Sequence, residues 1–290
     1  MKAITTILFG CLIILSSCAL GRINPYLSQS ADAGSSLKSD KKTEKLLAKL
    51  WSERHDSASL SRFIEMAKPL ARSPGDSRER WLKLARAEHL MAEFYTESGP
   101  ERLRLYLSAA HRAEAALHLN PAYRDVVSRP RASPEDGLTA IDRADLDAAY
   151  WFAESLYRWS VESGPERELK HRRTVELFFS RIENLDPGYN HGAVERHFAI
   201  EHARSRDGDP ESWKRSRVRF ESLLRLHGEY FANSVAFARY FARPTGDEAL
   251  FKKLIDRVLK DSPASHPDSI SEQILEQKRA KALSTPKKAP

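Results

Sequence analysis

The chain has 290 residues, with 47 Lys and Arg against 40 Asp and Glu and 30% charged residues overall. Twelve glycines leave little for glycine-rich phosphate or dinucleotide loops, and two cysteines, Cys11 and Cys18, exclude a zinc cluster built on thiolates. The formal charge of +7 invites an anionic partner, but the bases alternate with acids, as in "RSRVRFE" and "GPERELKHRR". That is the pattern of a solvated helix surface, and no nucleic-acid partner is expected.

Lys2 opens the chain, and Ile4 to Leu15 is almost wholly apolar. A membrane-crossing helix needs roughly 20 such residues, whereas a secretory signal core needs fewer. Leu15-Ser16-Ser17-Cys18 follows, and in that place it resembles the lipobox of bacterial lipoproteins. The resemblance implies cleavage after residue 17, a diacylglycerol on the Cys18 thiol and an acyl chain such as palmitate on its new amine. Ala19, standing where aspartate would signal inner-membrane retention, implies the periplasmic face of the outer membrane. Without residues 1–17 only Lys2 is lost from the charge balance, giving 46 − 40, or +6. Cys18 is then the sole cysteine, so no disulfide forms within the mature chain.

Residues 18–42 contain "SQSADAGSSLKSDKK", small and polar with no apolar period, and read as a lipid anchor followed by a flexible tether. Helical periodicity runs from about Thr43 to 283, and nothing reads as strand. In order come "SLSRFIEMAKPLA", "RERWLKLARAEHLMAEFY", "RLRLYLSAAHRAEAALHL", "DLDAAYWFAESLYRW", "RTVELFFSRIENL", "SWKRSRVRFESLLRL", "ANSVAFARYFA" and "EALFKKLIDRVL". Breaks at "SPGD", "SGPE", "LNPAY", a second "SGPE", "LDPGY" and "DSPA" supply the Pro or Gly that ends a helix. Residues 284–290 read as a disordered tail.

Four of these helices share one spacing. Ala109, Ala113, Ala116 and Leu119 precede Pro121, and Val175, Phe179, Ile182 and Leu185 precede Pro187 with the same steps. Ser216, Phe220, Leu223 and Leu226 precede Gly228 likewise, and Phe251, Ile255, Val258 and Asp261 precede Pro263. This is the second-helix stripe of a tetratricopeptide repeat, wedged between its own partner and the next repeat. The fold class is therefore all-α, an irregular array of roughly four helical hairpins. "YRDVVSRPRASPEDGLTAID" reads as an insertion within it.

Beyond these stripes, "DPGYNHGAVERHFA", "VAFARYFARPTGDEALFKKLIDRVL" and "EQKRAKAL" resemble the TRAP-transporter T components, TatT, over roughly residues 78–283. The resemblance implies a helical-repeat lipoprotein that partners a TRAP-type periplasmic substrate-binding protein, held to the membrane by its N-terminal lipid, and a homo-oligomer, a trimer. Residues alone leave a second reading open, an outer-membrane assembly or envelope-maintenance lipoprotein with the same repeats.

No nucleophile elbow, phosphate loop or H-E-x-x-H motif occurs, so an enzyme is not expected. His191, Glu195 and His202 fall at steps of four and seven, which could share a helix face, but helical surfaces often gather such residues and no metal or other cofactor is expected. Glu88-His89 and Glu201-His202 are adjacent on helices and point apart. Aromatics are more informative. Tyr150, Trp151, Tyr157 and Trp159 crowd one first helix, and Tyr230, Phe231, Phe237, Tyr240 and Phe241 another, with Arg158, Arg196 and Arg239 among them. Such an arginine can hold the carboxylate of an organic ligand while the rings pack its apolar part. The candidate ligand- or partner-binding set is Tyr150, Trp151, Arg158, Tyr189, Arg196, Arg239 and Tyr240, with Cys18 for lipidation.

Overall fold

A computed structural model of the protein describes residues 40–71, 77–204 and 209–285. The signal segment, Cys18 and nearly all of the tether lie outside the described residues. The first helix, α1 (Lys41–Ser52), starts slightly ahead of the apolar periodicity, because Asp40 caps it by accepting from the Thr43 N–H at 2.7 Å. Then come α2 (Ser57–Leu70), α3 (Ser77–Tyr95) and α4 (Pro100–Leu117). The insertion holds α5 (Pro121–Val127) and two 3₁₀ turns, Pro134–Ala140 and Arg143–Asp145. The array resumes with α6 (Leu146–Glu162), α7 (Pro165–Leu185), α8 (Tyr189–Ala203), α9 (Pro210–His227), α10 (Phe231–Phe237), α11 (Glu248–Lys260) and α12 (Ile270–Ser284). No strand occurs among the described residues.

The hairpins pair α1 with α2, α3 with α4, α6 with α7, α8 with α9 and α10 with α11. The two "SGPE" stretches start second helices α4 and α7 in the same way. Gly99 (φ 142°) and Gly164 (φ 106°) hold backbone angles that L side chains rarely adopt, and the proline that follows each one presets the first helical φ. The predicted stripes are buried at their centres. Ala109, Ala113, Ala116, Phe179, Ile182, Phe220 and Val258 are fully enclosed, and Leu223 and Ile255 nearly so. The fourth place departs from the expectation. Leu119 and Leu226 are 43% and 66% exposed, since each lies at or past the end of its helix, beyond the packed part.

The last helix closes the array. Glu272 on α12 accepts two hydrogen bonds from Arg54, at 2.8 and 2.7 Å, just beyond α1. Gln273, fully buried, accepts from the Phe231 N–H at 2.8 Å and so caps α10. Helix α12 thus packs on α10 and α11 and ties them to the N-terminal hairpin through Arg54 and to α3 through Arg279 and Glu93. No described helix is long and apolar enough to cross a membrane.

Candidate functional site

Helices α3, α6, α8, α10 and α12 surround a polar cavity system with three adjoining parts. An outer mouth of about 340 Å³ is lined by Trp51, Arg86, Asp147, Trp151, Tyr189 and Asn190. Behind it, sharing Arg86, Trp151 and Asn190, lies a chamber of about 90 Å³. An inner end of about 50 Å³ shares Arg158, Arg196, Glu276 and Arg279 with the chamber and adds Arg239 and Tyr240.

The side chains arrive there by helical spacing. On α6, Tyr150, Trp151, Glu154, Tyr157 and Arg158 follow steps of three and four, whereas Trp159 turns the other way, against His171. On α3, His89 and Glu93 face the chamber while Glu88 turns away from it and is buried against Arg112 of α4, so the adjacent Glu-His pair does separate. Past Phe237 the chain makes a π-helical turn, Ala238–Ala242, and this turn carries Arg239 and Tyr240. Single π turns recur where a side chain must be re-aimed at a site. Phe231, Phe237 and Phe241 from the same helix are buried in the core.

A network of ions crosses the chamber. Glu93 accepts from Arg279 at 2.6 Å and from the Tyr106 hydroxyl, with Arg158 at 3.8 Å. Arg158 also donates to Glu154 at 2.8 Å and to the Tyr240 hydroxyl at 3.2 Å, and Arg279 donates to Glu276 at 3.0 Å. Burial would raise the Glu93 carboxyl, but Arg158 and Arg279 outweigh it and hold the group well below the usual carboxylate range. Glu276 goes the other way: burial raises it, and Arg279 only partly offsets that. Burial also keeps two imidazoles neutral, pushing His89 down to about 4 and His197 down to about 3, and it lifts the Tyr150 phenol to about 12.

All seven residues expected to bind ligand or partner lie on this system: Tyr189 and Trp151 at the mouth, Tyr150 in the chamber, and Arg158, Arg196, Arg239 and Tyr240 at the inner end. Sequence reasoning missed Arg86, His89, Glu93, Glu154, Glu272, Glu276 and Arg279, whose charge reads as solvent-facing. The grouping of His191, Glu195 and His202 does not form. Asn190, His191 and Gly192 have left-handed backbone angles, so His191 precedes the regular part of α8, and Glu195 pairs with Arg219.

Arg196 and Arg239 form no close ion pair with a carboxylate among the described residues, although the charge of each is felt at Glu276. Arg196 donates to the Asn233 side-chain oxygen at 2.6 Å, and Arg239 lies over the Tyr240 ring at 5.0 Å. Four arginines therefore face a single glutamate, Glu276, at the inner end. What this arrangement offers is binding: ring faces for an apolar body and guanidinium groups for a negative end. A search of curated proteins finds no match. The family model described as TRAP transporter T-component matches residues 85–289, which include every residue of the chamber and its inner end.

Proposed function

The chain belongs to the TRAP transporter T-component family, and from that membership we propose that it is a periplasmic scaffold which docks a TRAP-type substrate-binding protein and takes an organic acid into its aromatic and arginine-lined chamber. The observation that carries the ligand class is the surplus of cations at the inner end, where Arg196 and Arg239 form no ion pair with a carboxylate among the described residues and four arginines share Glu276. A bound carboxylate would accept charge-assisted hydrogen bonds there, each worth about 1.5–3 kcal/mol. Aromatic walls at Tyr150 and Trp151 suit an acid with an apolar chain.

Arg239 is the cleaner probe, since it makes no hydrogen bond or ion pair among the described residues. Arg239→Ala is expected to fold normally and to weaken octanoate binding about tenfold, the lower end of the range for one charge-assisted bond. Octanol serves as the uncharged control. Octanol binding as tightly as octanoate would remove the carboxylate from the proposal. Copurification from native membranes tests the partner: a complex with the substrate-binding protein is expected, and light scattering should count three copies of this chain in it. Absence of a complex at tens of micromolar, at low or physiological salt, would defeat the docking reading.

The proposed location is the periplasmic face of the outer membrane, with Cys18 carrying the acyl chains. More than one chain gives stable anchoring, where a single one is marginal. Mass spectrometry is expected to find Cys18 as the modified first residue, and Cys18→Ser should release the protein into the soluble periplasmic fraction. An unmodified Cys18 in the membrane-bound wild type would rule the anchor out.

A further inference from the structure

We propose that His191, His227 and Glu229 form a binding site for a divalent transition ion of the zinc class, on the outside of the chamber wall. Their ligand atoms, one from each residue, all lie within 4.8 Å of one another. Zinc–nitrogen and zinc–oxygen bonds run about 2.0–2.2 Å, so donors around one ion stand only some 3–4 Å apart, and small side-chain adjustments suffice. Two imidazoles and one carboxylate are the donor set of open zinc sites, and imidazole favours zinc, copper and nickel over magnesium or calcium.

The three residues come from two backbone pieces, the turn that opens α8 and the end of α9, which the fold brings together. His227 is the last residue of α9, and Glu229 follows it beyond Gly228. His191 sits at φ 56° in the left-handed turn that opens α8, its ring stacked on Tyr230 with centroids 4.3 Å apart. A non-glycine residue holds such an angle only where its surroundings require it. Gly192 next to it also has positive φ, and a Cβ there would come within 2.9 Å of the His227 ring. Only glycine both accepts that angle and lets the imidazole approach.

A fixed support stands behind the donors, as metal sites require. Asn233 is fully buried, and its side-chain amide donates to both ligand carbonyls, His191 O at 3.2 Å and His227 O at 2.8 Å. One amide thus sets the spacing of two ligands. His266 approaches Glu229 with Nε2 at 3.6 Å from the carboxylate, and that nitrogen is buried with no hydrogen bond among the described residues. It is placed to orient the carboxylate from outside.

The test uses the untagged full chain in detergent micelles, stripped with chelator and then titrated with zinc chloride or cobalt chloride. One zinc per chain is expected, together with intense visible cobalt bands of a low-coordinate site. Removing an outer-shell partner commonly costs 10–100-fold in metal affinity, so His266→Ala should weaken zinc about tenfold. His227→Ala and Glu229→Gln, which remove donors, should weaken it at least as much. Glu229 is half exposed, so its variant keeps the fold, and helix content by circular dichroism checks that. His202→Ala is the control and should bind as wild type. Failure of the wild type to bind, or equal binding by wild type, His227→Ala and Glu229→Gln, overturns the site.

Discussion

Lowering the pH from 7 to 5 is expected to destabilise the protein, and His197→Phe is expected to remove about 2 kcal/mol of that loss. His89 and His197 are buried and neutral, and their folded pKa values, about 4 and about 3, lie below the ordinary 6.5. Below pH 6.5 the unfolded chain therefore takes up protons that the folded chain refuses. Stability is present above that pH and is lost as pH falls toward 4. At ~1.4 kcal/mol per pH unit, each histidine withdraws about 2 kcal/mol between pH 7 and 5. Glu276 works in the opposite sense, because its raised pKa lets the folded state take a proton first, so the difference between variants is the sound measurement. The His197 ring stacks on Phe179 at 3.9 Å and meets Tyr157 edge-on, and its Nδ1 has no hydrogen-bond partner among the described residues. Phenylalanine fits that cage, so stability at pH 7 should change by less than about 1.5 kcal/mol. Urea unfolding at the two pH values decides it. A variant that loses as much as wild type on acidification would show that His197 takes up a proton within the fold.

The parts of the molecule that the sequence made legible are those where a residue has one physical job. Phe179, Phe220 and Val258 sit on helices packed from two sides, and a doubly buried stripe leaves a strict apolar spacing. The breaks at the two SGPE stretches were readable because Gly99 and Gly164 answer the backbone angle directly, whereas the Asp40 cap, which starts α1 ahead of the apolar period, was not. The aromatic walls were readable too, since Tyr150, Trp151 and Tyr240 exceed what a small repeat needs for its core. The ion network was not. Glu272, Glu276 and Arg279 form a polar stripe on α12, and a polar stripe signifies solvent until a neighbour covers it. That neighbour is the groove formed by α3, α6, α8 and α10, a tertiary fact with no local trace. His191 was misassigned for a related reason: three residues, Asn190 to Gly192, leave the helical angles, and spacing arguments assume that none do.

Glu93→Gln is expected to destabilise the folded protein by about 3 kcal/mol while strengthening its grip on an organic acid. The two effects share one cause. Glu93 is a carboxylate shared by three arginines, taking Arg279 at 2.6 Å and facing Arg158 at 3.8 Å and Arg102 at 3.9 Å. Breaking a buried pair by removing one partner typically costs 3–5 kcal/mol, because a charge stays behind without compensation. Here each arginine keeps a second partner, Glu276, Glu154 and Glu162 respectively, which places the loss at the lower end. Glutamine keeps the shape and can still accept from Tyr106, so what it removes is charge. The chamber then holds one more uncompensated cation, and the attraction for a carboxylate entering from the mouth rises. Octanoate should bind the variant about tenfold more tightly, equivalent to ~1.4 kcal/mol, while octanol should bind both proteins alike. Urea unfolding reads the first effect and titration calorimetry the second. A variant within 1 kcal/mol of wild type would mean that the network contributes little to the fold. A less stable variant that binds octanoate more weakly would mean that the ligand's negative end lies elsewhere than among Arg158, Arg196, Arg239 and Arg279.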